Sequence, residues 1–201
     1  IVSKNLKSSE QAISLIRDLL DISRIEQHRF EFTPRFMQLS EVRAMLGKLI
    51  GDIKETVKDR NFSLEITQSF PAADRVVVDY EKITQIAQNL LENAVRYTAP
   101  GGDIKILLET KDNNLIVHIS DNGVGIPETD QEKIFTKFFR ARNARLSSED
   151  GTGLGLYLCR EWIRIQGGEI WFSSEEDKGS TFSVSLPLKG QGPAEGFLRA
   201  L

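Results

Sequence analysis

The order of helix-like and strand-like segments limits the fold of this chain more than any other feature of its sequence. Apolar residues recur at helical spacing from Val2 to about Ile25, and again after Ser40 and after Asp79. Short alternating runs, typical of strands, lie between and after these helices. This mixture predicts an α/β (α+β) two-layer sandwich, in which helices cover one face of a mixed sheet.

Capping and turn residues predict where the elements begin and end. Ser40 and Asp79 are the predicted N-caps of two helices, and the second of these helices ends before Pro100. Asn113 and Asn114 are the predicted hairpin turn. The other predicted elements are strands at 62–67, 75–78, 103–109, 114–120, 169–174 and 180–187, a loop-rich stretch at 121–152 and a helix at 153–166.

Composition excludes several classes of protein. The 201 residues carry a net charge of -3, which gives no general footprint for nucleic acid, so no nucleic-acid partner is expected. No run approaches the roughly 20 apolar residues of a membrane span. The single cysteine, Cys159, excludes an internal disulfide and fits a reducing, cytoplasmic compartment. Because the helical pattern is already present at Ile1, we expect a fragment of a longer protein.

One predicted helix carries two amides, a cation and an aromatic ring on a single face. Asn89 and Asn93 are four residues apart, and Arg96 and Tyr97 follow one turn later, so the four side chains share a face. Asparagine is a mediocre helix former. Two asparagines on one face therefore indicate that something binds there.

A second cluster is the run DNGVGIP at 121–127, directly after a predicted strand. Alternation places Asp121 on the apolar face of that strand, where a carboxylate needs donors, and the exocyclic amine of a purine is a suitable one. Gly123 and Gly125 let the backbone turn sharply and approach a flat ligand closely. The alternative is a strand-ending Asx turn with two ordinary loop glycines.

A third motif, GTGLGL at 151–156, opens a predicted helix. Glycine-rich backbone before a helix N-terminus offers free N–H groups and a positive dipole end to a phosphate. The segment lacks the GK[ST] ending of a P-loop and is not a dinucleotide fingerprint that follows a strand. Alone, the motif is weak evidence for a phosphate site. It becomes stronger evidence because it follows the other two motifs in this order along the chain.

Taken in order, the motifs resemble those of bacterial sensor histidine kinases of two-component systems. NLLENAVRY at 89–97 resembles the N box, DNGVGIP at 121–127 the G1 box, FTKFFR at 135–140 the F box and GTGLGL at 151–156 the G2 box. LLDISRIE at 19–26 resembles the end of the second helix of the dimerisation and phosphoacceptor domain. The resemblance covers about residues 10 to 188 and is highly specific.

This resemblance implies the ATP-binding fold shared with type II topoisomerases, mismatch-repair ATPases and a heat-shock chaperone. Residues 1–28 would be the second helix of a dimerisation hairpin whose acceptor helix is missing. Residues 29–188 would be the catalytic ATP-binding domain, and 189–201 a flexible tail. The parent protein would be a homodimer that passes phosphate to the receiver domain of a response regulator.

The resemblance also assigns roles to the clustered residues. Asp121 would accept a hydrogen bond from the adenine amino group, and Tyr97 would stack near the base. Asn93 would be the Mg²⁺ ligand, with the triphosphate oxygens completing the coordination. Asn89 would lie near the phosphates, and Arg96 would neutralise phosphate charge.

The glycine loops and the lid supply the remaining implied contacts. The expected loop residues are Gly123, Gly125, Gly151, Gly153, Leu154 and Gly155, and Thr181 is expected beside the purine-binding carboxylate. Residues 128–152 would form a lid whose basic candidates for the γ-phosphate are Lys137, Arg140, Arg142 and Arg145, with Arg140 assigned to catalysis. Phe135, Phe138 and Phe139 are either plain core or a hinge anchor that flips with nucleotide.

A missing carboxylate separates this chain from the hydrolases of the same fold. In those relatives a glutamate one turn before the magnesium asparagine activates water, and here Asn89 occupies that position. Glu92 is about 100° away around the helix and is expected to point in the wrong direction. The sequence therefore favours phosphoryl transfer to a protein acceptor over hydrolysis.

The acceptor is expected to be a histidine upstream of this chain. His28 follows the first helix, and His118 alternates away from the face that carries Asp121, so both are read as ordinary linker or surface residues. The fragment should therefore not phosphorylate itself. Two alternatives stay open: a serine kinase of the anti-sigma-factor type with the same fold, and a degenerate nucleotide-binding regulatory module.

Overall fold

The computed structural model describes residues 2–66, 75–147 and 151–188. The helices are α1 Val2–Glu26, α2 Leu39–Thr56, α3 Tyr80–Tyr97, α4 Glu128–Gln131, α5 Arg142–Ser147 and α6 Gly155–Ile165. The strands are β1 Pro34–Gln38, β2 Asn61–Ile66, β3 Arg75–Asp79, β4 Asp103–Lys111, β5 Asn114–Asp121, β6 Glu169–Glu175 and β7 Gly179–Pro187. Predicted elements that extend into 67–74, 148–150 or 189–201 lie outside the described residues.

Five strands form the main sheet, in the order β2-β4-β5-β7-β6. The β2–β4 pair is parallel and the other pairs are antiparallel. Alternate residues of β4, namely Ile104, Ile106 and Leu108, are buried on the face that α3 and α6 cover with Leu91 and Leu158. The predicted two-layer sandwich with a mixed sheet is confirmed.

The run at 75–78, predicted as a strand, does not join the main sheet. It pairs antiparallel with β1 in a separate two-stranded sheet, in which Met37 faces Val76 and both side chains are fully buried. This small sheet leads directly into α3 and therefore sets where that helix begins.

Asp79 caps α3, as the sequence predicts. Its carboxylate accepts hydrogen bonds from the backbone N–H groups of Glu81 and Lys82, at 3.0 and 3.2 Å. The second oxygen accepts from Thr33 N–H at 3.2 Å, and Gln166 Oε1 accepts from the N–H of Asp79 at 2.9 Å. These hydrogen bonds join the start of α3 to Thr33, which lies between α1 and β1, and to Gln166, which directly follows α6.

The predicted N-cap of α2 is wrong by two residues. Gln38 is the N-cap, and its backbone N–H donates to the Glu41 carboxylate at 2.8 Å, the glutamate half of a capping box. Ser40 already lies inside the first turn. The helix begins before the predicted position because β1 ends at Gln38 and α2 follows at Leu39 with no loop between them.

The predicted hairpin turn between β4 and β5 is also displaced by one residue. The two central positions are Asp112 and Asn113, with φ of 50° and 61°, and Lys111 pairs with Asn114 at the end of the ladder. Both central residues adopt the left-handed conformation, which asparagine and aspartate tolerate best among residues with a side chain.

One face of helix α1 packs against the sheet-and-helix core, and its other face is exposed. Ile22 is buried in the common core, whereas Ile13, Ile16, Leu19 and Leu20 are exposed. In the described part of the chain, no helix has both the length and the apolar character needed to cross a membrane.

The two predicted caps give a direct test of the fold. Asp79→Ala should lower the free energy of unfolding by about 2 kcal/mol, because it removes one carboxylate that serves three backbone donors. Ser40→Ala should stay within about 0.5 kcal/mol of the wild type, since Ser40 caps nothing. Urea unfolding followed by circular dichroism measures both, and equal losses in the two variants would contradict the capping assignment.

Candidate functional site

A cavity of about 580 Å³ lies where α3, the loop after β5 and the start of α6 meet. The predicted site residues in its wall are Asn89, Asn93, Arg96, Tyr97, Asp121, Gly125, Arg140, Gly151, Gly153 and Gly155. Motifs that are far apart in the sequence therefore share one cavity. Gly123, Leu154 and Thr181 are not in the wall.

Asp121 lies at one end of the cavity, at the last position of β5. Its Oδ1 accepts a hydrogen bond from Gly123 N–H at 2.9 Å, and the N–H of Ser180 donates to the same carboxylate. Burial raises the pKa of Asp121, while these two hydrogen bonds pull the pKa back down. A half-buried carboxylate of this kind gains stability from a donor on a ligand.

The expectation that Thr181 lies beside Asp121 is wrong. The strand register pairs Asp121 with Ser180, whereas Thr181 pairs with Ser120. The Thr181 hydroxyl donates to Ser120 Oγ at 2.9 Å, on the opposite face of the sheet from Asp121. Ser180 lines the cavity instead, because alternation gives consecutive residues of β7 to opposite faces.

Gly123 joins the loop after β5 to the end of α3. A Cβ at this position would overlap the carbonyl oxygen of Tyr97, so no other residue fits without a shift. Val124 N–H donates to the same carbonyl at 3.1 Å. Gly123 therefore positions the site without lining it.

The amide face of α3, which carries Asn89 and Asn93, forms the wall between the two ends of the cavity. Asn89 is held against α6, where a Cβ at Gly155 would lie 3.0 Å from its Oδ1 and where it hydrogen-bonds to the Cys159 thiol. Cys159 is fully buried, and burial raises its pKa to about 12, so it is a packing thiol and not a nucleophile.

Two guanidinium groups converge at the start of the second glycine loop. A Cβ at Gly151 would lie 2.8 Å from Arg96 Nη1 and 3.5 Å from Arg140 Nε. Arg140 also donates to the carbonyl of Ala144 at 3.2 Å. The same loop ends at Gly155, the first residue of α6, so the positive end of a helix dipole adds to these cations. This end of the cavity is suited to an anion.

The other three basic candidates of the lid have different surroundings. Lys137 pairs with Glu26 of α1, and its ammonium lies 5.0 Å from the centre of the Tyr157 ring. Arg142 is exposed and is not in the cavity wall. The side chain of Arg145 lies outside the described residues.

The three phenylalanines of the lid do not act as one group. Phe135 packs edge-on against Phe172, and Phe139 packs against the core. Phe138 is 60% exposed and has a φ of 62°, an unfavourable backbone conformation for a bulky residue. Its N–H donates to the carbonyl of Gly153 at 2.9 Å, so this strained residue is tied to the second glycine loop.

Glu92 is among the residues that border the cavity, but its side chain is exposed. Its carboxylate accepts a hydrogen bond from Gln88 Nε2 at 2.8 Å, one turn earlier on α3. Sequence reasoning also missed the contribution of α1, whose residues Ser14, Leu15 and Asp18 line the cavity. Nothing local in the sequence indicates this contact, because it depends on how α1 docks.

Comparison with known proteins agrees with this geometry. The family model described as histidine kinase-, DNA gyrase B-, and HSP90-like ATPase matches residues 78–190. The chain belongs to this ATPase family. The family resemblance read from the four motifs is confirmed, and with it the use of ATP.

The chain is similar to sensor histidine kinases in particular. The sensor histidine kinase WalK of Bacillus subtilis is 36% identical over 184 residues, which are 90% of this chain and 29% of that protein. The solved catalytic domain of histidine kinase ThkA is 30% identical, with a TM-score of 0.63 over 79% of this chain and 98% of that one. ThkA in complex with response regulator protein TrrA is 26% identical, with a TM-score of 0.63 over 88% of this chain and 48% of that one.

The buried charge of Asp121 predicts a stability gain on its removal. Asp121→Asn should raise the free energy of unfolding of the ligand-free chain at pH 7, and with it the Tm. The amide oxygen still accepts from Gly123, and the desolvated charge is gone. Thermal unfolding followed by circular dichroism measures the difference.

The pH dependence of the stability difference between Asp121→Asn and the wild type serves as a control for this prediction. Because the folded-state pKa of Asp121 is raised, the stability contributed by its protonation is complete below about pH 3.9 and is lost as the pH rises through the folded-state pKa. The gain in Asp121→Asn should thus shrink on acidification. A gain independent of pH would show that burial of the charge is not its cause.

Proposed function

We propose that this chain is the ATP–Mg²⁺-binding and phosphoryl-transfer module of a two-component sensor histidine kinase. The proposal rests on one cavity with two different ends. The Asp121 carboxylate lies at one end, where a purine can donate to it, and Arg96, Arg140 and the N-terminus of α6 lie at the other. The family match at residues 78–190 supports the same conclusion. The chain spans 29% of the length of WalK, so the activity of the whole protein is part of the proposal.

At the Asp121 end the site holds the base. Asp121 accepts a hydrogen bond from the adenine amino group, and Tyr97 stacks near the ring. Ile126 and Phe182, which also line the cavity, supply apolar contact. The cost of desolvating the carboxylate is offset only by a ligand that donates, which gives the site its selectivity.

At the other end the site holds the phosphates. The described residues contain no group of three or more His, Cys, Asp or Glu side chains that could hold a metal ion alone. Mg²⁺ commonly takes one or two protein oxygens plus substrate phosphates, so Asn93 fits as its protein ligand. When bound there, Mg²⁺ would supply positive charge against the triphosphate, and Asn93 would hold it in place.

The remaining phosphate contacts come from the helix and the loops. Asn89 lies against the start of α6, so its amide reaches the phosphate tail. Arg96 and Arg140 neutralise phosphate charge at Gly151. The backbone of the second glycine loop receives phosphate oxygens through Gly153 and Gly155, and buried Leu154 contributes through its backbone alone.

Transfer to a histidine, and not hydrolysis, is the proposed reaction. Asn89 stands where a water-activating carboxylate would lie, and the Glu92 carboxylate is engaged by Gln88. The bond from the γ-phosphorus to the β–γ bridging oxygen breaks, a bond to an imidazole nitrogen forms, and ADP leaves. Positioning and charge neutralisation carry most of such a step.

The acceptor histidine is proposed to lie outside this chain. His118 Nδ1 is 2.7 Å from Ser183 Oγ and its Nε2 is 3.4 Å from Glu109 Oε1, on the sheet face opposite the cavity. His28 has a φ of 53° directly after α1, in the linker. Neither histidine is in the cavity wall.

Residues 1–28 are proposed to be the second helix of a dimerisation domain, and 29–188 the catalytic domain. The exposed apolar residues of α1 support this division, because Ile13, Ile16 and Leu20 require a partner helix. In the parent homodimer this helix would pack in a four-helix bundle and present phosphate to a response regulator. The solved complex of ThkA with a response regulator supports that partner class.

The role of Asn93 can be tested by the metal dependence of binding. Asn93→Ala should lower the affinity for ATP with Mg²⁺ by about ten-fold or more, because a metal ligand is lost. Affinity for ATP in the presence of EDTA should change much less. Isothermal titration calorimetry measures both, and equal losses with and without the metal would exclude Asn93 as its ligand.

The reaction itself can be tested with a supplied acceptor. Labelled ATP should leave this chain unlabelled and should label an added phosphoacceptor domain of a sensor histidine kinase, with a phosphate that acid removes. An acid-stable label on an added protein would favour a serine kinase of the anti-sigma-factor type. Nucleotide binding without any transfer would favour the regulatory module.

A further inference from the structure

Helix α1 forms one side of the nucleotide cavity and brings a carboxylate to it. Ser14, Leu15 and Asp18 are in the cavity wall. The Asp18 carboxylate accepts a hydrogen bond from the hydroxyl of Thr152, the second residue of the GTGLGL loop. An acidic side chain of α1 thus contacts the loop that is proposed to receive phosphate.

Contacts outside the cavity hold α1 in this position. Ile22 is 5% exposed and belongs to the common core. Asp21 pairs with Lys82 of α3 at 3.4 Å, and Glu26 pairs with Lys137 of the lid. These contacts keep Asp18 at the cavity without any contribution from Asp18 itself.

Asp18 lies at the end of the cavity that is remote from the base. Tyr97 adjoins the Asp121 loop, and Asn89 is eight residues earlier on α3, which is about 12 Å along the helix. Asp18 and Asn89 together line both the cavity and a neighbouring polar groove of about 600 Å³ between α1 and α3. Under the proposed function, this is where the terminal phosphate lies.

The charge of Asp18 is poorly compensated at this place. Burial raises its pKa, Asp21 raises it further, and the hydrogen bond from Thr152 only partly opposes them. Lys82, Arg17 and Arg24 also line the groove, but Lys82 is paired with Asp21, and none of the three cations is among the groups that shift the pKa of Asp18. A terminal phosphate would add more negative charge beside a carboxylate that is already unfavourable.

We propose that Asp18 makes the docked position of α1 antagonistic to the terminal phosphate of a bound nucleotide, so that the docked helix discriminates against the triphosphate and in favour of the diphosphate. This inference rests on the proposed nucleotide-binding function and adds a specificity determinant to it. By linkage, the triphosphate weakens the docking of α1 by the same factor as docking weakens its binding.

The test compares ATP and ADP affinities, each with Mg²⁺, by calorimetry on the whole chain. Asp18→Asn keeps the shape of the side chain and its bond to Thr152 but removes the charge. It should tighten ATP binding by about five-fold and ADP binding much less. Asp112→Asn is the matched control, because it makes the same chemical change in the turn between β4 and β5, away from the cavity, and should alter neither affinity.

Hydrogen exchange supplies a second readout that does not depend on affinity. ATP with Mg²⁺ should speed amide exchange across residues 13–26 relative to ADP with Mg²⁺, and Asp18→Asn should abolish the difference. If the wild type binds both nucleotides and Asp18→Asn behaves like Asp112→Asn, or if ATP slows exchange in α1, the inference is overturned while the proposed function stands. If the wild type binds neither nucleotide, both fall.

Discussion

The close approach of Gly123 to the carbonyl of Tyr97 is the contact on which the candidate site depends. It joins the loop after β5 to the last turn of α3 where no side chain fits between them. Asp121 and the amide face of α3 thereby border one cavity, although more than twenty residues separate them in the chain. The glycine contributes no chemistry of its own. It fixes the distance between the groups that do.

Electrostatics divides the cavity into two ends with opposite requirements. At one end a half-buried carboxylate has a raised pKa and needs a donor. At the other end two guanidinium groups and the start of α6 create a positive potential that favours an anion. A nucleotide satisfies both at once, because its base donates and its tail is anionic. The stability that the ligand-free chain gives up at Asp121 is a common cost of a functional site.

Helix α1 also contributes to the charge of the cavity, although it precedes the residues that the ATPase family model matches. Its contacts with Lys82 and Lys137 place it across the proposed phosphate-binding end, where Asp18 adds a negative charge that would repel a terminal phosphate. The same helix leaves an apolar stripe exposed on its other side. One helix thus faces both the proposed nucleotide site and the proposed partner helix, which is a physical route for coupling the two.

The sequence by itself determined the layer architecture, the cap at Asp79 and the set of motifs, because these depend on local periodicity and on residues with special backbone or hydrogen-bonding properties. Tertiary structure alone decided that Ser180 and not Thr181 adjoins Asp121, since strand register sets which face each residue takes. It also decided that Glu92 borders the cavity and that Asp18 reaches it. Those outcomes depend on how whole elements pack together, and no local pattern encodes that packing.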